Sequence, residues 1–214
     1  MKNKSILWIV LCCFAMAQPV LAQFTDQGKF MLGSAVGFAT NTSRISYTNY
    51  TPTEAENEPQ NTQWNVAPYV GYFLFKNFTL GIGMDYTTSS ETRQNEAKTK
   101  DSDLLFGPFT RFYLPFDDKA FFLQANFGFG NSADNLNLGG VNQNINTNIL
   151  AVGFGPGFTI FSNDAIGLEA LVKYNYARSK FDVDLNGVKT TTTTKTNQIA
   201  LSLGIQFYFS GLRK

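Results

Sequence analysis

The chain contains no histidine, and its only two cysteines, Cys12 and Cys13, lie near the amino terminus. Without histidine, Ser-His-Asp catalysis, histidine metal sites and the usual general base are excluded. Charged residues make up 15% of the chain, well below the roughly 25% typical of soluble domains. After residue 22 no apolar run approaches the roughly 20 residues that a membrane-spanning helix needs. Any membrane crossing must therefore be made by strands.

The amino terminus has the pattern of a secretory signal peptide. Lys2 and Lys4 precede a short apolar segment over 6–17, and small residues ending at Ala22 form a cleavage site before Gln23. The sequence therefore predicts a signal peptide over 1–22 and a single mature domain over 23–214. A cut after Ala17 is the alternative site.

A lipoprotein signal is a second alternative, although the residues before Cys12 and Cys13 are not small. Cleavage after Ala22 removes both cysteines and two lysines, leaving 15 of the 17 basic side chains against 16 acidic ones. The mature chain then has no thiol chemistry and no basic surface for nucleic acid.

Eight segments alternate between large apolar residues and small or polar ones. In the last segment Ile199, Leu201 and Leu203 alternate with Ala200 and Ser202. A period of two predicts β-strands. The predicted strands cover 29–40, 64–74, 78–87, 104–114, 120–130, 150–161, 165–176 and a final segment that ends at residue 209.

The connections between these strands are alternately long and short, beginning with a long one. Outer-membrane barrels have short periplasmic turns and long outer loops, and about ten tilted residues cross the bilayer. The sequence therefore predicts an all-β fold for 23–214, an outer-membrane β-barrel domain with eight antiparallel, up-and-down transmembrane strands. Apolar residues face lipid and polar residues face a narrow interior. The alternative is a soluble lipocalin-like barrel, with its bulky apolar residues inside.

Aromatic residues concentrate at both ends of the predicted strands, as in the girdles of membrane barrels. A simple preference of aromatic residues for strands is the alternative explanation. The predicted girdles contain Phe30, Phe38, Trp64, Tyr72, Phe78, Tyr86, Phe112, Phe121, Tyr174, Phe207 and Phe209.

Pro68, Pro108 and Pro156 lie in three of the even-numbered strands, on the predicted outward face. Proline lacks a ladder N–H, and a closed barrel has no edge strand that tolerates the loss. We therefore expect bulges or weakened pairing at these positions.

The signal ending Leu-Ala-Gln, the proline–aromatic strands and the Phe207-Tyr208-Phe209 end resemble the OmpA/OmpX-like family of small eight-stranded outer-membrane barrels, particularly those of the Bacteroidota. The resemblance covers essentially the whole mature chain. It implies a porin-like protein in the outer membrane of a Gram-negative cell envelope, in contact with the lipid bilayer and lipopolysaccharide and inserted by the barrel-assembly machinery. Family members usually end on an aromatic residue, whereas this chain continues to Lys214.

Charged and amide residues on the inward face of the predicted strands form a candidate site. Side chains just fill an eight-stranded interior, and an isolated buried charge is costly, so these groups should pair or hold water. We expect a plug that keeps the barrel shut, and the alternative is a proton or ion path gated by Arg111 and Glu169. The predicted network contains Asp85, Arg111, Gln124, Asn126, Glu169, Lys173 and Gln206.

Two turn signals predict hairpins that protrude beyond the membrane. Asn-Gly at 186–187 favours a two-residue turn that pairs Leu185 with Val188, and Gly-Gly at 139–140 similarly pairs Leu138 with Val141. An exposed strand edge can bind a protein partner by strand addition, while merely solvated tips are the alternative. The candidate partner-binding hairpin contains Phe181, Val183, Leu185, Asn186, Gly187 and Val188.

The sequence thus predicts a non-enzymatic outer-membrane protein that serves envelope integrity or surface interaction through its outer loops. The alternative function is a narrow channel for small or apolar solutes. Asp117 with Asp118, and Asp182 with Asp184, are the remaining paired carboxylates, and solvated turn residues are the simpler interpretation. No cofactor or metal is expected, because the acidic run over 54–58 lacks a Ca²⁺-binding loop pattern.

Overall fold

Eight antiparallel strands close into a barrel in the computed structural model, which describes residues 24–47, 61–91, 99–138, 141–162, 165–185 and 188–210. Each strand pairs with its neighbours along the chain, and β1 pairs with β8 to close the sheet. The predicted fold class is confirmed. The strands are β1 (Lys29–Tyr47), β2 (Asn61–Phe75), β3 (Phe78–Glu91), β4 (Thr99–Phe116), β5 (Lys119–Leu138), β6 (Val141–Ser162), β7 (Ile166–Leu185) and β8 (Val188–Ser210).

Several segments predicted as loops are continuations of strands. β1 runs on to Tyr47, and β4 already begins at Thr99. The start of β8 at Val188 agrees with the hairpin that the sequence predicts there. Thr, Ser and Asn dominate these extensions, so they lack the apolar alternation that marked the membrane-spanning segments. Ladder pairing continues the strands beyond the apolar band, because every residue added to a hairpin gains backbone hydrogen bonds. The signal peptide and the acidic run over 54–58 lie outside the described residues.

Both hairpin registers predicted from the turn signals are confirmed. Leu138 pairs with Val141, and Leu185 pairs with Val188. These registers place Asn126 opposite Gly153, Glu169 opposite Gly204 and Lys173 opposite Ala200, always an inward residue against an inward residue. At the opposite end, Asn77 and Asp117 take positive φ values of 66° and 48° in the two short turns where they lie, a conformation that Asn and Asp tolerate better than most residues.

The outer surface of the barrel carries its large apolar side chains. Phe38, Ile199 and Leu203 are 64–65% exposed, whereas Arg111 and Gln206 are buried inside. The soluble alternative is therefore wrong, because it requires the opposite orientation. No helix among the described residues is long and apolar enough to span a membrane.

The three prolines interrupt the ladder on one side only. β2 and β3 pair at Val66 and again at Tyr69, but not at Ala67 or Pro68, and the register is the same on both sides of the gap. Equivalent two-residue gaps occur at Pro108 between β4 and β5 and at Pro156 between β6 and β7. Weakened pairing is confirmed, and no register shift accompanies it.

The predicted interior of small and polar residues is wrong at the short-turn end. Ten buried apolar side chains form a cluster there, and partly buried Phe24 packs against it. We call this cluster the aromatic floor. Its members are Met31, Tyr69, Phe73, Phe109, Tyr113, Ala120, Phe122, Phe161, Leu171 and Tyr208.

Inward glycines explain how so many rings fit inside a narrow barrel. A Cβ on Gly33 would lie 2.5 Å from the Tyr69 ring, and one on Gly157 would overlap the Phe122 ring. The residue that pairs with each of these aromatic residues is thus a glycine, which has no side chain to occupy the space of the ring. The inward glycines therefore make room for aromatic side chains.

Two glycines on adjacent strands provide a matched test of this packing. We expect Gly157→Ala to lower the free energy of unfolding by about 1–3 kcal/mol, because the added methyl group overpacks the Phe122 ring. At Gly128 a Cβ meets its nearest neighbour, Leu105, at an ordinary 3.5 Å. Gly128→Ala should therefore leave the stability unchanged or raise it by up to about 1 kcal/mol. Urea unfolding in lipid vesicles measures both, and equal losses would contradict the packing argument.

Candidate functional site: a buried ion pair above an aromatic floor

The centre of the site is an ion pair between β4 and β7. Both residues lie on the inward face, so their side chains meet across the lumen. Arg111 Nη1 lies 2.7 Å from Glu169 Oε2, and Nη2 lies 3.2 Å from Oε1, which is the two-pronged geometry of a strong arginine–carboxylate pair. Arg111 is 2% exposed and Glu169 4% exposed. The pair therefore fills the lumen at this level.

Glu169 receives hydrogen bonds from two further side chains. The Tyr69 hydroxyl donates to Oε1 at 2.7 Å, and Gln206 Nε2 donates to Oε2. The Tyr208 hydroxyl donates in turn to Gln206 Oε1. The carboxylate thus has four donors around its two oxygens, which is the condition under which a buried charge is tolerated.

Arg111 is held by amide, hydroxyl and ring contacts. Its Nε donates to Gln124 Oε1 at 2.6 Å, and Nη1 donates to the Tyr113 hydroxyl at 3.3 Å. Its Cζ lies 4.6 Å from the centroid of the Tyr69 ring and 4.8 Å from that of Phe122. These cation–π contacts are strongest where water is excluded.

Most of the aromatic floor lies between this ion pair and the short turns, whereas Tyr69, Phe109 and Leu171 lie at the level of the pair or on its hairpin side. Phe73 lies 5.7 Å from Tyr113 and 6.2 Å from Tyr208 between ring centroids, and Tyr208 lies 5.6 Å from Phe161. Phe24, which precedes β1, stacks on Phe161 at 4.3 Å with the planes 5° apart. The segment before the first strand thus contributes to the closure.

The same segment is tied to the first short turn. The Thr25 hydroxyl donates to Asn77 Oδ1 at 2.5 Å, and the Asn77 N–H donates to the Thr25 carbonyl at 2.8 Å. Gly28 N–H donates to the Phe73 carbonyl at 2.9 Å. The opening of the barrel at the short-turn end is therefore covered by the backbone of the segment before β1 as well as by side chains.

A second polar layer, more exposed to solvent than the first, lies toward the hairpin end of the lumen. Lys173 Nζ lies 3.9 Å from Asp85 Oδ2, and their side chains are 14% and 26% exposed. Asn65 Nδ2 donates to Asp85 Oδ1 at 2.8 Å. Asn126 is also partly buried on the inward face, but its Oδ1 has no hydrogen-bond partner among the described residues. The upper layer is thus more loosely paired than the lower one.

The structure divides the predicted interior network into two groups and one separate residue. Arg111, Gln124, Glu169 and Gln206 share a single hydrogen-bonded network. Asp85 and Lys173 form the second layer, and Asn126 joins neither group through a hydrogen bond.

The tyrosines of the plug were missed by the sequence analysis. Two of these tyrosines could have been predicted from consecutive aromatic residues near the short turns. Successive side chains of a strand point to opposite faces, so one ring of each pair must face inward. These pairs are Tyr72-Phe73, Phe112-Tyr113, Phe121-Phe122 and Phe207-Tyr208.

The predicted girdle residues lie on the outward face. Phe30 pairs with Tyr72 and with Phe209, and Phe38 pairs with Trp64, so aromatic residues meet across neighbouring strands at each end. Their exposed fractions range from 37% at Tyr72 to 64% at Phe38, apart from Phe78, which is partly buried.

The candidate hairpin is described only as backbone. Phe181, Val183 and Leu185 lie in β7, and Val188 begins β8, whereas Asn186 and Gly187 lie outside the described residues. Above the pair Asn148–Lys180, β6 and β7 no longer pair with each other. Residues 141–147 of β6 and 181–185 of β7 are therefore paired on one side only, which leaves two strand edges facing a notch between the hairpins.

The paired carboxylates lie away from the plug. Asp118 occupies a short turn with its side chain 60% exposed, and a hydrogen bond from the Lys119 ammonium lowers the pKa of Asp118. Asp182 and Asp184 lie on β7 opposite Thr191 and Lys189. Within the described ranges no three acidic, cysteine or histidine side chains come close enough together to hold a metal ion.

No family model matches the chain, and no curated protein matches it at a significant level. Solved structures match it in fold. Outer membrane protein OprG from Pseudomonas aeruginosa superposes with a TM-score of 0.60 at 13% identity, covering 88% of this chain and 99% of OprG. AlkL, an outer membrane protein solved in lipid bilayers, gives 0.53 at 13% identity, over 92% and 97%. Neisserial surface protein A gives 0.51 at 13% identity, over 86% and 98%.

These similarities agree with the closed eight-stranded barrel and its apolar exterior. The resemblance to small outer-membrane barrels that the sequence suggested is confirmed at the level of the fold. The chain therefore has the fold of the small, eight-stranded outer-membrane β-barrels.

Proposed function

We propose that the protein is a non-enzymatic outer-membrane barrel with a closed interior that acts at the cell surface through its two long outer hairpins. The observation that carries this proposal is the contrast between the two ends of the barrel. The lumen is filled by the Arg111–Glu169 pair and the aromatic floor, while β5–β6 and β7–β8 extend as hairpins to Leu138 and Leu185.

A filled lumen supports a role other than conduction. An ion passing the pair would have to separate Arg111 from Glu169 and then pass the rings of Phe73, Tyr113 and Tyr208. Two successive barriers of different chemistry oppose both polar and apolar solutes. The alternative function, a narrow channel for small or apolar solutes, requires both barriers to move.

The notch between the hairpins supports a role in binding. Its two edges, 141–147 of β6 and 181–185 of β7, present backbone N–H and C=O groups that no strand among the described residues pairs. Unpaired edges are templates for an added strand. A protein segment in extended conformation fits the notch, and backbone hydrogen bonding there would tolerate many sequences.

The absence of histidine and the solvated position of Asp118 support a non-enzymatic role. A hydrolase without histidine would depend on paired carboxylates or a metal. Asp118 forms its ion pair with Lys119 at the surface, outside any enclosed site.

The first test is the conductance of the refolded protein in planar bilayers, after a heat-dependent gel shift shows that the barrel is folded. We expect no conductance, because both the ion pair and the aromatic floor close the lumen in this structure. Discrete, reproducible openings would contradict the closed interior and favour the channel.

The second test removes the hairpins and keeps the barrel. Lys180 pairs with Thr193, and Ala133 pairs with Asn146, so an Asn-Gly turn inserted at either pair preserves the register. We expect the variant with both hairpins shortened to fold normally but to lose adhesion of expressing cells to surfaces coated with serum protein. Cells with each hairpin shortened alone serve as controls, and unchanged adhesion of the double variant would contradict the proposed surface role.

A further inference from the structure

Three basic residues lie side by side at one level of the outer wall. Lys195 on β8 pairs directly with Arg178 on β7 and with Arg44 on β1. Arg178 and Lys195 are exposed on the outward face, and neither forms an ion pair among the described residues. Like charges directly opposite each other destabilise a sheet. This arrangement therefore favours an anion that neutralises both.

The level of these cations relative to the bilayer identifies the anion. Along β7 the outward positions below Arg178 are Tyr176 and Tyr174, and Tyr174 donates a hydrogen bond to Asn197 Oδ1 at 2.6 Å. Outward-facing tyrosines mark the interface between acyl chains and headgroups. Arg178 follows Tyr176 by two residues, roughly 7 Å along the strand, so its guanidinium group lies at the depth of the headgroups.

The cluster is local to one side of the barrel. Across β6, Arg178 pairs with Leu150, and the outward positions that follow around the ladder are Phe129 on β5, Phe106 on β4 and Met84 on β3, all of them uncharged. Lys180, two residues above Arg178, is also exposed and outward, and β7 becomes acidic only at Asp182. Exposed positive charge is thus concentrated on the adjacent strands β7 and β8, where a single headgroup can touch both Arg178 and Lys195.

We propose that Arg178 and Lys195 form a binding site for the phosphate groups of an outer-leaflet glycolipid. Arginine binds a phosphate oxygen pair through its planar fork, and lysine contributes a compact charge. The apolar surface below, with Ile199 and Val172 exposed, receives the acyl chains of the same lipid. The site lies outside the lumen and below the notch, so it does not depend on the proposed role of the hairpins.

The test measures lipid retention by native mass spectrometry on the refolded full chain. The probe is lipid A carrying two phosphates, and its comparison is the same lipid with the phosphates removed. We expect wild-type protein to retain the phosphorylated lipid and the variant R178Q/K195Q to bind it on the order of twentyfold more weakly. The control K29Q/K76Q removes two positive charges at the short-turn end and should bind like wild type.

Three results would overturn the proposal. They are equal retention by R178Q/K195Q and wild type, equal retention of phosphorylated and dephosphorylated lipid, and displacement of the lipid by millimolar inorganic phosphate. The last result would indicate a site for the free anion. A heat-dependent gel shift shows that each variant is folded, which is expected because both side chains are exposed.

Discussion

Replacing Glu169 with glutamine is expected to lower the free energy of unfolding by about 3–5 kcal/mol, because it leaves the Arg111 guanidinium buried without a counter-charge. Arg111 is 2% exposed, so no solvent compensates for the loss. The substitution also places an amide N–H₂ among donors from Tyr69, Gln206 and Arg111. Two donors then face each other in a site that excludes water. Urea unfolding in lipid vesicles measures the change.

The double variant R111M/E169Q separates the loss of the charge pair from a general disturbance of the barrel. Removing both charges eliminates the uncompensated cation, so this variant should recover at least half of the stability that E169Q loses. Asp85→Asn is the matched carboxylate-to-amide control. Its partner Lys173 lies at 3.9 Å in a partly exposed layer, and the expected loss is about 0–1 kcal/mol. An E169Q protein as stable as wild type would contradict the central role of the ion pair.

Replacing Phe73 with alanine is expected to lower the free energy of unfolding by about 3–5 kcal/mol. Its side chain is fully buried between Tyr113 and Tyr208. Neither ring can move into the space, because Tyr113 contacts Met31 through its hydroxyl and Tyr208 is bonded to Gln206. The substitution therefore leaves a cavity in the aromatic floor. Thermal or urea unfolding in lipid vesicles measures the loss.

Phe38→Ala is the control for this prediction. Phe38 is 64% exposed on the outward face, so a lipid chain can fill the space that its ring leaves. We expect a smaller loss of about 1–2 kcal/mol, corresponding to the reduced apolar contact alone. Equal losses for the two variants would indicate that the floor is not tightly packed.

Much of the fold could be predicted because period-two alternation is a local property. The outward face of β8 followed directly from Ile199, Leu201 and Leu203, and the hairpin register followed from the turn at Leu185 and Val188. Once a two-residue turn is placed, every pair below it is determined, since the side-chain period is two. The strand extensions were underestimated because Thr and Asn segments pair through backbone groups, which leave no apolar pattern.

The interior was predicted less well because two residue types occupy the inward face. Glycine at 33 and 157 leaves space beside its own strand, and a ring from the next strand fills that space, as Phe122 does beside Gly157. For neighbouring aromatic residues such as Phe121 and Phe122, the sequence does not indicate which ring faces outward and which faces inward. Only the closed wall, in which one ring faces lipid and the other the lumen, distinguishes their roles.

Local residue patterns were sufficient to predict the strand count, the antiparallel hairpins, the outward-facing apolar residues and the inward orientation of Arg111 and Glu169. All of these depend on parity and turn chemistry, which neighbouring residues specify. Only the three-dimensional structure shows that Tyr69 and Gln206 bind the carboxylate of Glu169 and that Asp85 pairs with Lys173 in a separate layer. Partners across a lumen come from strands that are not neighbours, and their relative heights depend on the stagger that accumulates around the closed barrel.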